Sequence, residues 1–264
     1  INFVTHGFIY FPRPAVAYRI TSGLITASGK CLVGEPGTLI YCFSITTPAS
    51  ALTVNDGGNN RGHTGPVAAK HLGFRGHPTG WSSWTNVYAD PTPYTANLTG
   101  VTINSPACMF ENCAWVGFDK CTDFNYGSYL LSFHDCAFQY SNYGVYFDAT
   151  GESNLGENIE FRKCTIANNK YGLYNNRGEL RFIGCSFDFN RNEHVNDNIM
   201  KTGGVAGAAV VFDHCHFENT WTCSQSANKI VNTSGMMILQ NCLFYESQGD
   251  AAIAGYFKND DEMI

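Results

Sequence analysis

Four carboxylic acids in the second half of the chain are candidates for cleaving a glycosidic bond. Such a hydrolysis needs one acid that protonates the leaving oxygen and one carboxylate that acts as base or nucleophile. The two groups lie roughly 5–5.5 Å apart in retaining enzymes and about 6.5–9.5 Å apart in inverting ones. Because the chain has 22 acidic residues, any single acid is more often a solvated surface group than a catalyst. The candidates are Asp148, Glu152, Glu193 and Asp197.

A sugar polymer would also need side chains that hold it. Aromatic rings stack on the faces of sugars, and Asn, Asp and His side chains hydrogen-bond to hydroxyl groups. Surface tyrosines are common on β-sheets, so none of these residues identifies a site alone. The segment Thr79–Tyr94 is predicted to be an exposed aromatic loop that carries two of the candidates. The predicted substrate-binding residues are Tyr146, Tyr174, His194, Asn196, Trp81 and Trp84.

A polysaccharide lyase is the alternative chemistry. A lyase removes the proton next to a uronic acid carboxylate, which needs a base such as Tyr, His or Lys and a cation that neutralises the acid. The segment Phe74–His77 (FRGH) and the pair Arg191 and His194 contain these residue types. Their spacing does not require that reaction, so hydrolysis is the preferred prediction.

No metal ion or other cofactor is predicted. The sequence has no CxxC, GxSxG, P-loop or HExxH motif and no cluster of aspartates suited to calcium. The segment Asp213–Phe217 (DHCHF) is the tightest His/Cys cluster. The repeat described next directs Cys215 inwards, His214 to a corner and His216 outwards, so a structural role is predicted for all three.

A repeated motif must position these side chains. It consists of an apolar residue, a gap, Phe or Leu, two residues and then Cys, with another bulky apolar residue two positions later. Successive repeat cysteines are 23, 28, 21, 30 and 27 residues apart, which is typical of a solenoid, propeller or array. The repeat cysteines are Cys113, Cys136, Cys164, Cys185, Cys215 and Cys242.

Each repeat is predicted to be a strand, a one-residue corner and a second strand. Apolar residues alternate with polar ones at a period of two, and the phase shifts between Phe and Cys, which requires a bend. Five of the six residues before the repeat Cys are Gly, Asn, Asp or His, which tolerate a left-handed backbone most readily. Stacking such units gives a parallel β-helix in which Cys, a small hydrophobe, fills the corner. A third strand is predicted within Ser141–Asp148 and Asn169–Asn176.

The prolines and the composition set the organisation of the chain. All nine prolines lie at or before Pro106, and proline is kept out of central strands. We therefore expect residues 1–100 to form irregular N-terminal coils of the same solenoid, and residues 101–264 to form regular coils that are truncated at the C-terminal end. A net charge of −6 without a basic cluster argues against nucleic-acid binding, and no apolar run is long enough for membrane insertion.

The eleven cysteines are predicted to be reduced. Their number is odd, and six occupy one repeated inward position, where parallel side chains suit packing better than bridging. Reduced thiols indicate a protein that folds in a reducing cytoplasm.

The repeated phrase, together with YGVY (Tyr143–Tyr146) and YGLY (Tyr171–Tyr174), resembles right-handed parallel β-helix proteins of the pectate-lyase-like superfamily. Within that group it is similar to bacteriophage tailspikes and capsule depolymerases over residues from about 100 to 264. The resemblance implies a homotrimer in the virion, on the phage tail, that folds in the host cytoplasm and depolymerises a bacterial surface polysaccharide such as capsule or O-antigen.

The calcium-binding aspartates and catalytic arginine of pectate lyases are not matched, so no catalytic residue is carried over. An endo-acting glycoside hydrolase is expected. A polysaccharide lyase, a non-catalytic carbohydrate-binding adhesin and a purely structural solenoid are the alternatives.

Overall fold

The structure, a computed structural model, describes residues 7–26, 30–55, 67–77, 94–125, 127–148, 156–198, 209–219, 230–246, 257–259 and 262–263. All regular structure within these ranges is β-strand. The described part of the chain contains no helical segment with the length and hydropathy needed to cross a bilayer.

The described strands form two sheets, of 17 and 9 strands. The first sheet contains β1 (Gly7–Phe11), β2 (Tyr18–Arg19), β4 (Lys30–Tyr41), β6 (Val67–Arg75), β8 (Met109–Glu111), β9 (Ala114–Val116), β11 (Ser132–His134), β12 (Ala137–Gln139), β14 (Ile159–Arg162), β15 (Thr165–Ala167), β17 (Leu180–Ile183), β18 (Ser186–Asp188), β20 (Ala209–Asp213), β21 (His216–Asn219), β23 (Met236–Gln240), β24 (Leu243–Glu246) and β26 (Glu262–Met263). The second sheet contains β3 (Leu24–Thr26), β5 (Ala49–Asn55), β7 (Thr95–Asn104), β10 (Phe118–Phe124), β13 (Tyr143–Phe147), β16 (Tyr171–Asn175), β19 (Glu193–Asn198), β22 (Ile230–Ser234) and β25 (Phe257–Asn259).

Each regular coil contributes two short strands to the first sheet and one strand to the second. Strands β11, β12 and β13 form one coil, and β14, β15 and β16 form the next. Corresponding strands of successive coils pair in parallel, as β11 does with β14, β12 with β15 and β13 with β16. Crossovers between parallel strands are right-handed in nearly all proteins. The predicted all-β, right-handed parallel β-helix is confirmed.

The predicted corners lie between the two first-sheet strands of a coil. The residue before each repeat Cys has a positive φ of 51° to 61°, which is the left-handed conformation. The corner N–H groups continue the ladder between coils: Asp135 donates to the Arg162 carbonyl at 3.0 Å, and Lys163 donates to the Ile183 carbonyl at 2.9 Å. Stacking therefore holds even Lys163 in a backbone conformation that ordinary residues avoid. The corner residues are Asn112, Asp135, Lys163, Gly184, His214 and Asn241.

Columns of apolar side chains fill the coil, and one of them is made of phenylalanine rings. The rings of Phe133, Phe161 and Phe182 stack with centroids 4.7 Å apart and nearly parallel planes. This distance is close to the usual spacing of neighbouring strands. Such pairs contribute about 0.5–1.5 kcal/mol beyond the apolar area that they bury. The ring column therefore favours the in-register stacking of successive coils.

The repeat cysteines form a second column beside the rings. The thiol of Cys164 lies 3.4 Å from the carbonyl oxygen of Phe133, and that of Cys215 lies 3.4 Å from the carbonyl oxygen of Phe182. Each thiol thus fills the corner and offers a weak hydrogen bond to the preceding coil. All described cysteines are free thiols, and burial raises the pKa of Cys121 to about 12.

The described strands of the first hundred residues belong to the same two sheets. Their pairing is less regular, because the β4–β6 register shifts between Val33 and Thr38 and the β6–β8 register shifts between Val67 and Ala69. The predicted division of the chain near residue 100 stays a prediction.

Candidate functional site

The outer surface of the second sheet carries two ladders of polar and aromatic side chains. In one, Lys120, Tyr143 and Tyr171 are aligned on successive coils. In the other, Asp123, Tyr146 and Tyr174 are aligned in the same way. Strands β10, β13 and β16 place these side chains outwards because the intervening residues are buried. We define the tyrosine face as Lys120, Asp123, Tyr143, Tyr146, Tyr171 and Tyr174.

The Tyr-Gly-x-Tyr phrase explains how two tyrosines of one strand reach the same surface. Gly144 and Val145 are both buried, so the strict alternation is interrupted between Tyr143 and Tyr146. A Cβ atom on Gly144 would lie 2.7 Å from the carbonyl oxygen of Gly172 on the next coil. The approach of the two coils therefore requires glycine at this position.

An internal polar ladder anchors the turn that leads into these strands. The Ser141 hydroxyl accepts from the Phe118 amide at 3.0 Å, and the Asn169 side-chain oxygen accepts from the Ser141 amide at 3.1 Å. The Asn190 side-chain oxygen accepts from the Asn169 amide at 3.1 Å in the next coil. Because buried amides require partners, this ladder sets where each strand of the tyrosine face begins.

The four tyrosine rings form one packed group. Tyr143 stacks on Tyr171 at 5.0 Å, and Tyr146 stacks on Tyr174 at 5.3 Å. Tyr143 and Tyr146 meet edge to face at 4.9 Å. The Lys120 ammonium lies 3.8 Å from the centre of the Tyr146 ring. Lys120 and Tyr174 therefore both pack against Tyr146, which leaves ring edges and hydroxyl groups as its main contacts for a ligand.

Two carboxylates border the rings. The Asp123 carboxylate lies 3.3 Å from the Lys120 ammonium. Loss of hydration raises the pKa of Asp123, and this effect outweighs Lys120, which lowers it; nearby Asp148 and Asp119 raise it further. Asp148 is exposed and accepts hydrogen bonds from the Tyr146 hydroxyl, at 2.9 Å, and from the Asn176 side-chain amide.

The hydroxyl of Tyr146 is held as a donor. Burial raises its pKa, and the hydrogen bond to Asp148 and the negative charge of that carboxylate raise it further. Burial also raises the pKa of Tyr143 to about 12. Neither hydroxyl is therefore prepared to act as a general base near neutral pH.

The backbone register sets the separation of Asp123 and Asp148. Asp123 is aligned with Tyr146 on the next coil, and Asp148 lies two residues further along that coil. Adjacent strands about 4.8 Å apart, with a rise of about 3.3 Å per residue, place Cα atoms related in this way about 8 Å apart. Side chains that start from such positions can bring their carboxyl groups to the roughly 6.5–9.5 Å found in inverting glycosidases.

The structure brings only some of the sequence-predicted site residues together. Asp148, Tyr146 and Tyr174 meet at the tyrosine face. Glu193 is half-buried at the start of β19, aligned with Tyr171 one coil further on. Asp197 is 0% exposed and its carboxylate accepts a hydrogen bond from the Asn175 side chain at 2.9 Å. The structure therefore corrects its placement, because a buried, inward carboxylate is not accessible to a polymer on the outer surface.

The remaining predicted site residues cannot be placed on this surface by their side chains. Glu152, Trp81 and Trp84 lie outside the described residues. The side chains of His194 and Asn196 also lie outside what is described, although the backbone of Asn196 is aligned with Tyr174.

Sequence reasoning missed Asp123, Lys120, Tyr143 and Tyr171. A signal for Asp123 was present, because the tenth residue after the repeat Cys is Asp123 in one coil, Tyr146 in the next and Tyr174 in the third. Strand β10 lacks the Tyr-Gly-x-Tyr phrase, which hid its equivalence to β13 and β16. The structure supplies that equivalence through the parallel register.

The tyrosine face has no evident metal ligand set. Among the described residues, the one group of three His, Asp or Glu side chains whose ligand atoms lie close together is on the first sheet.

Comparisons with known proteins add little to this description. No protein-family profile matches the sequence. Among solved structures, the chain is similar to the A-module of the mannuronan C-5 epimerase AlgE4 of Azotobacter vinelandii, with a TM-score of 0.35 and 11% identity over 98% of this chain and 91% of that one. At this distance no substrate or residue role is transferred.

Proposed function

We propose that this protein binds a bacterial surface polysaccharide along the tyrosine face and hydrolyses its glycosidic bonds with Asp123 and Asp148. One observation carries the proposal: a carboxyl with a raised pKa and a hydrogen-bonded carboxylate lie on adjacent coils beside four packed tyrosines. In this proposal Asp123 is the general acid and Asp148 is the base that activates water.

The different surroundings of the two carboxyls support these roles. A general acid must keep its proton near the working pH, and the raised pKa of Asp123 favours its protonated form. Asp148 receives two donors, from Tyr146 and Asn176, which orient its oxygens as acceptors. Their diagonal separation leaves room for a water molecule, so inversion of the anomeric carbon is expected.

The substrate class follows from the shape of the surface. A pair of tyrosines recurs on the adjacent strands β13 and β16, one coil spacing of about 4.8 Å apart, so an extended polymer can meet equivalent hydroxyl groups and ring edges on both coils. Tyrosine hydroxyls can hydrogen-bond to sugar hydroxyls.

The lyase alternative fits the described residues less well. A lyase would need a tyrosine or another base that loses its proton readily, whereas the pKa values of Tyr143 and Tyr146 are raised. It would also need a cation that faces the uronate, whereas the Lys120 ammonium packs 3.8 Å from the centre of the Tyr146 ring. A non-catalytic adhesin would use the same surface without cleavage, and the experiment below separates it from an enzyme.

We extend the proposal to the biological setting: a homotrimeric bacteriophage tailspike, folded in the host cytoplasm and carried on the virion. The resemblance of the coil phrase supports it, and the free thiols of the described cysteines agree with folding in a reducing compartment. Light scattering after size-exclusion chromatography tests the trimer, and a monomeric mass would contradict it.

The test uses a panel of purified capsular polysaccharides and O-antigens. Incubation with the protein is followed by assays for new reducing ends and for the ultraviolet absorbance of unsaturated uronic acid. Reducing ends alone are expected; both signals together would replace the proposal with a lyase, and retention of a glycan without cleavage would replace it with an adhesin.

Variants connect the result to the tyrosine face. Asp123→Asn should remove cleavage and preserve glycan retention. The matched control is Asp135→Asn, which makes the same charge change at an exposed corner of the first sheet, where Asn suits the left-handed backbone. Equal loss of activity in both variants would argue against Asp123 as the acid.

A further inference from the structure

The outer surface of the first sheet carries a second group of side chains that the proposed hydrolysis does not use. Asp188 lies on β18, and His216 and Glu218 lie on β21 of the next coil. The β18–β21 register aligns Ser186 with His216 and Asp188 with Glu218. Phe187 precedes Asp188, and Phe217 lies between His216 and Glu218. Both phenylalanines point into the core, so the three alternating side chains project outwards.

The ligand atoms of this group converge. Asp188 Oδ1 lies 3.4 Å from His216 Nδ1, and His216 Nε2 lies 4.0 Å from Glu218 Oε2. One ligand atom from each of the three residues can be chosen so that all lie within 4.8 Å of one another. The ligands come from two neighbouring coils, so the spacing of the solenoid itself brings them together.

The Asp188 carboxylate is only half satisfied. Its Oδ2 accepts a hydrogen bond from the Ser186 hydroxyl at 2.5 Å. Its Oδ1 is shielded from solvent and accepts no hydrogen bond. An acceptor that is shielded from water without a hydrogen bond is unfavourable, and this oxygen lies 3.4 Å from His216 Nδ1, a contact that is an ion pair only when the imidazole is protonated.

We propose that Asp188, His216 and Glu218 bind a divalent transition-metal ion of the zinc class. One imidazole nitrogen and two carboxylate oxygens are a common ligand set for such ions, whereas calcium prefers oxygen ligands alone. Zinc bonds of about 2.0–2.2 Å place tetrahedral ligands roughly 3.4 Å apart. The distance of 3.4 Å between Asp188 Oδ1 and His216 Nδ1 already meets this requirement. Glu218 contacts the opposite ring nitrogen, Nε2, at 4.0 Å, so its partly exposed side chain must turn towards Nδ1 to complete the set.

The site does not use the tightest His/Cys cluster of the sequence as a unit. In DHCHF, Cys215 is buried in the core and His214 occupies the corner with a φ of 52°. Only His216 of that segment contributes a ligand. Of its two partners, Asp188 lies on the neighbouring coil and Glu218 lies two residues further along the same strand. A metal ion would bridge β18 and β21 and stabilise the stack, since binding to the folded state alone raises stability.

The experiment measures binding of the metal alone to the full chain. Reduced, chelator-treated protein is titrated with zinc chloride in a calorimeter. One equivalent is expected to bind, and Asp188→Asn or His216→Ala should weaken binding at least tenfold. The matched control is His134→Ala, because His134 and Glu160 form a similar pair at 4.0 Å on the same sheet; zinc binding should be unchanged. Circular dichroism verifies that each variant is folded.

Two further readouts keep the result interpretable. Zinc should raise the melting temperature of the parent protein and not that of Asp188→Asn. Cobalt substitution should give visible bands without a sulfur-to-metal charge-transfer band. Absence of binding, equal affinity in the Asp188→Asn and His216→Ala variants, or a thiolate band would each overturn the proposal. None of these outcomes bears on Asp123, which lies on the second sheet, or on Asp148, which follows strand β13 of that sheet.

Discussion

Inward and outward side chains of the coil differ in how they recur from coil to coil, even along the same strand. In β17, Phe182 points inwards and stacks on Phe161 and Phe212, whereas the neighbouring Arg181 is exposed. Inside, corresponding positions of successive coils stay apolar, and the ring column of β17 keeps Phe at each of these coils. On the tyrosine face, the ladder changes from Asp123 to Tyr146 within one step. The interior therefore specifies the solenoid, and the outer surface is free to differ from coil to coil and to carry chemistry.

The largest expected effect comes from breaking the interior column. Phe182→Ala should lower the free energy of unfolding by about 3–5 kcal/mol, because it removes a buried ring and leaves a cavity between two others. Arg181→Ala, its neighbour on the same strand, should change stability by no more than about 0.5 kcal/mol. Urea denaturation measures both, and similar values for the two variants would contradict the comparison.

The next effect should appear in activity without a change in stability. Asp148→Asn removes an exposed carboxylate, so we expect cleavage to fall about 10²–10⁴-fold while the melting temperature stays near that of the parent protein. Reducing-end assays at saturating and limiting polysaccharide measure the loss. Cleavage at the parental rate would exclude Asp148 as the base.

The pH dependence of cleavage sharpens the role of Asp123. Burial raises the pKa of this acid, so activity should be present while Asp123 is protonated and be lost as the pH rises through that raised pKa. The Lys120 ammonium lowers the pKa of Asp123, so in Lys120→Met the loss of activity should occur at a higher pH. If activity is lost at the same pH in the variant, another group controls that loss. Arg162→Met, a loss of positive charge on the first sheet, is the control.

The smallest effect concerns the two environments of the thiols. Burial raises the pKa of Cys108 and of Cys121 to about 12, so alkylation of these residues in the folded protein should be slow. The contact with Cys215 raises the pKa of Cys242 as well, but Cys242 is the one half-buried thiol among the described cysteines and should react first because the reagent reaches it. Mass spectrometry after timed alkylation measures the order, and early labelling of Cys121 would contradict a closed core.

The fold could be predicted because its causes are local and repeated. The sequence shows the period of two, the phase shift before Cys and the residue at each corner that tolerates a left-handed backbone. The same pattern recurs in each coil. The site could be predicted only in part. Tyr146, Tyr174 and Asp148 follow from the repeat, whereas Asp197 resembled them in sequence and is directed inwards by the register of β19 with β16.

The amino-acid sequence by itself determined that the chain coils and which residues enter the core, because burial of apolar side chains depends on a pattern that each repeat carries. Only the tertiary structure decided which polar residues become neighbours. Asp123 and Asp148 are separated along the chain, as are Asp188 and His216, and parallel stacking at about 4.8 Å brings each pair together across adjacent coils. Loops of different length between the repeats hide that alignment from a linear reading, and the hydrogen-bonded register of the sheets restores it.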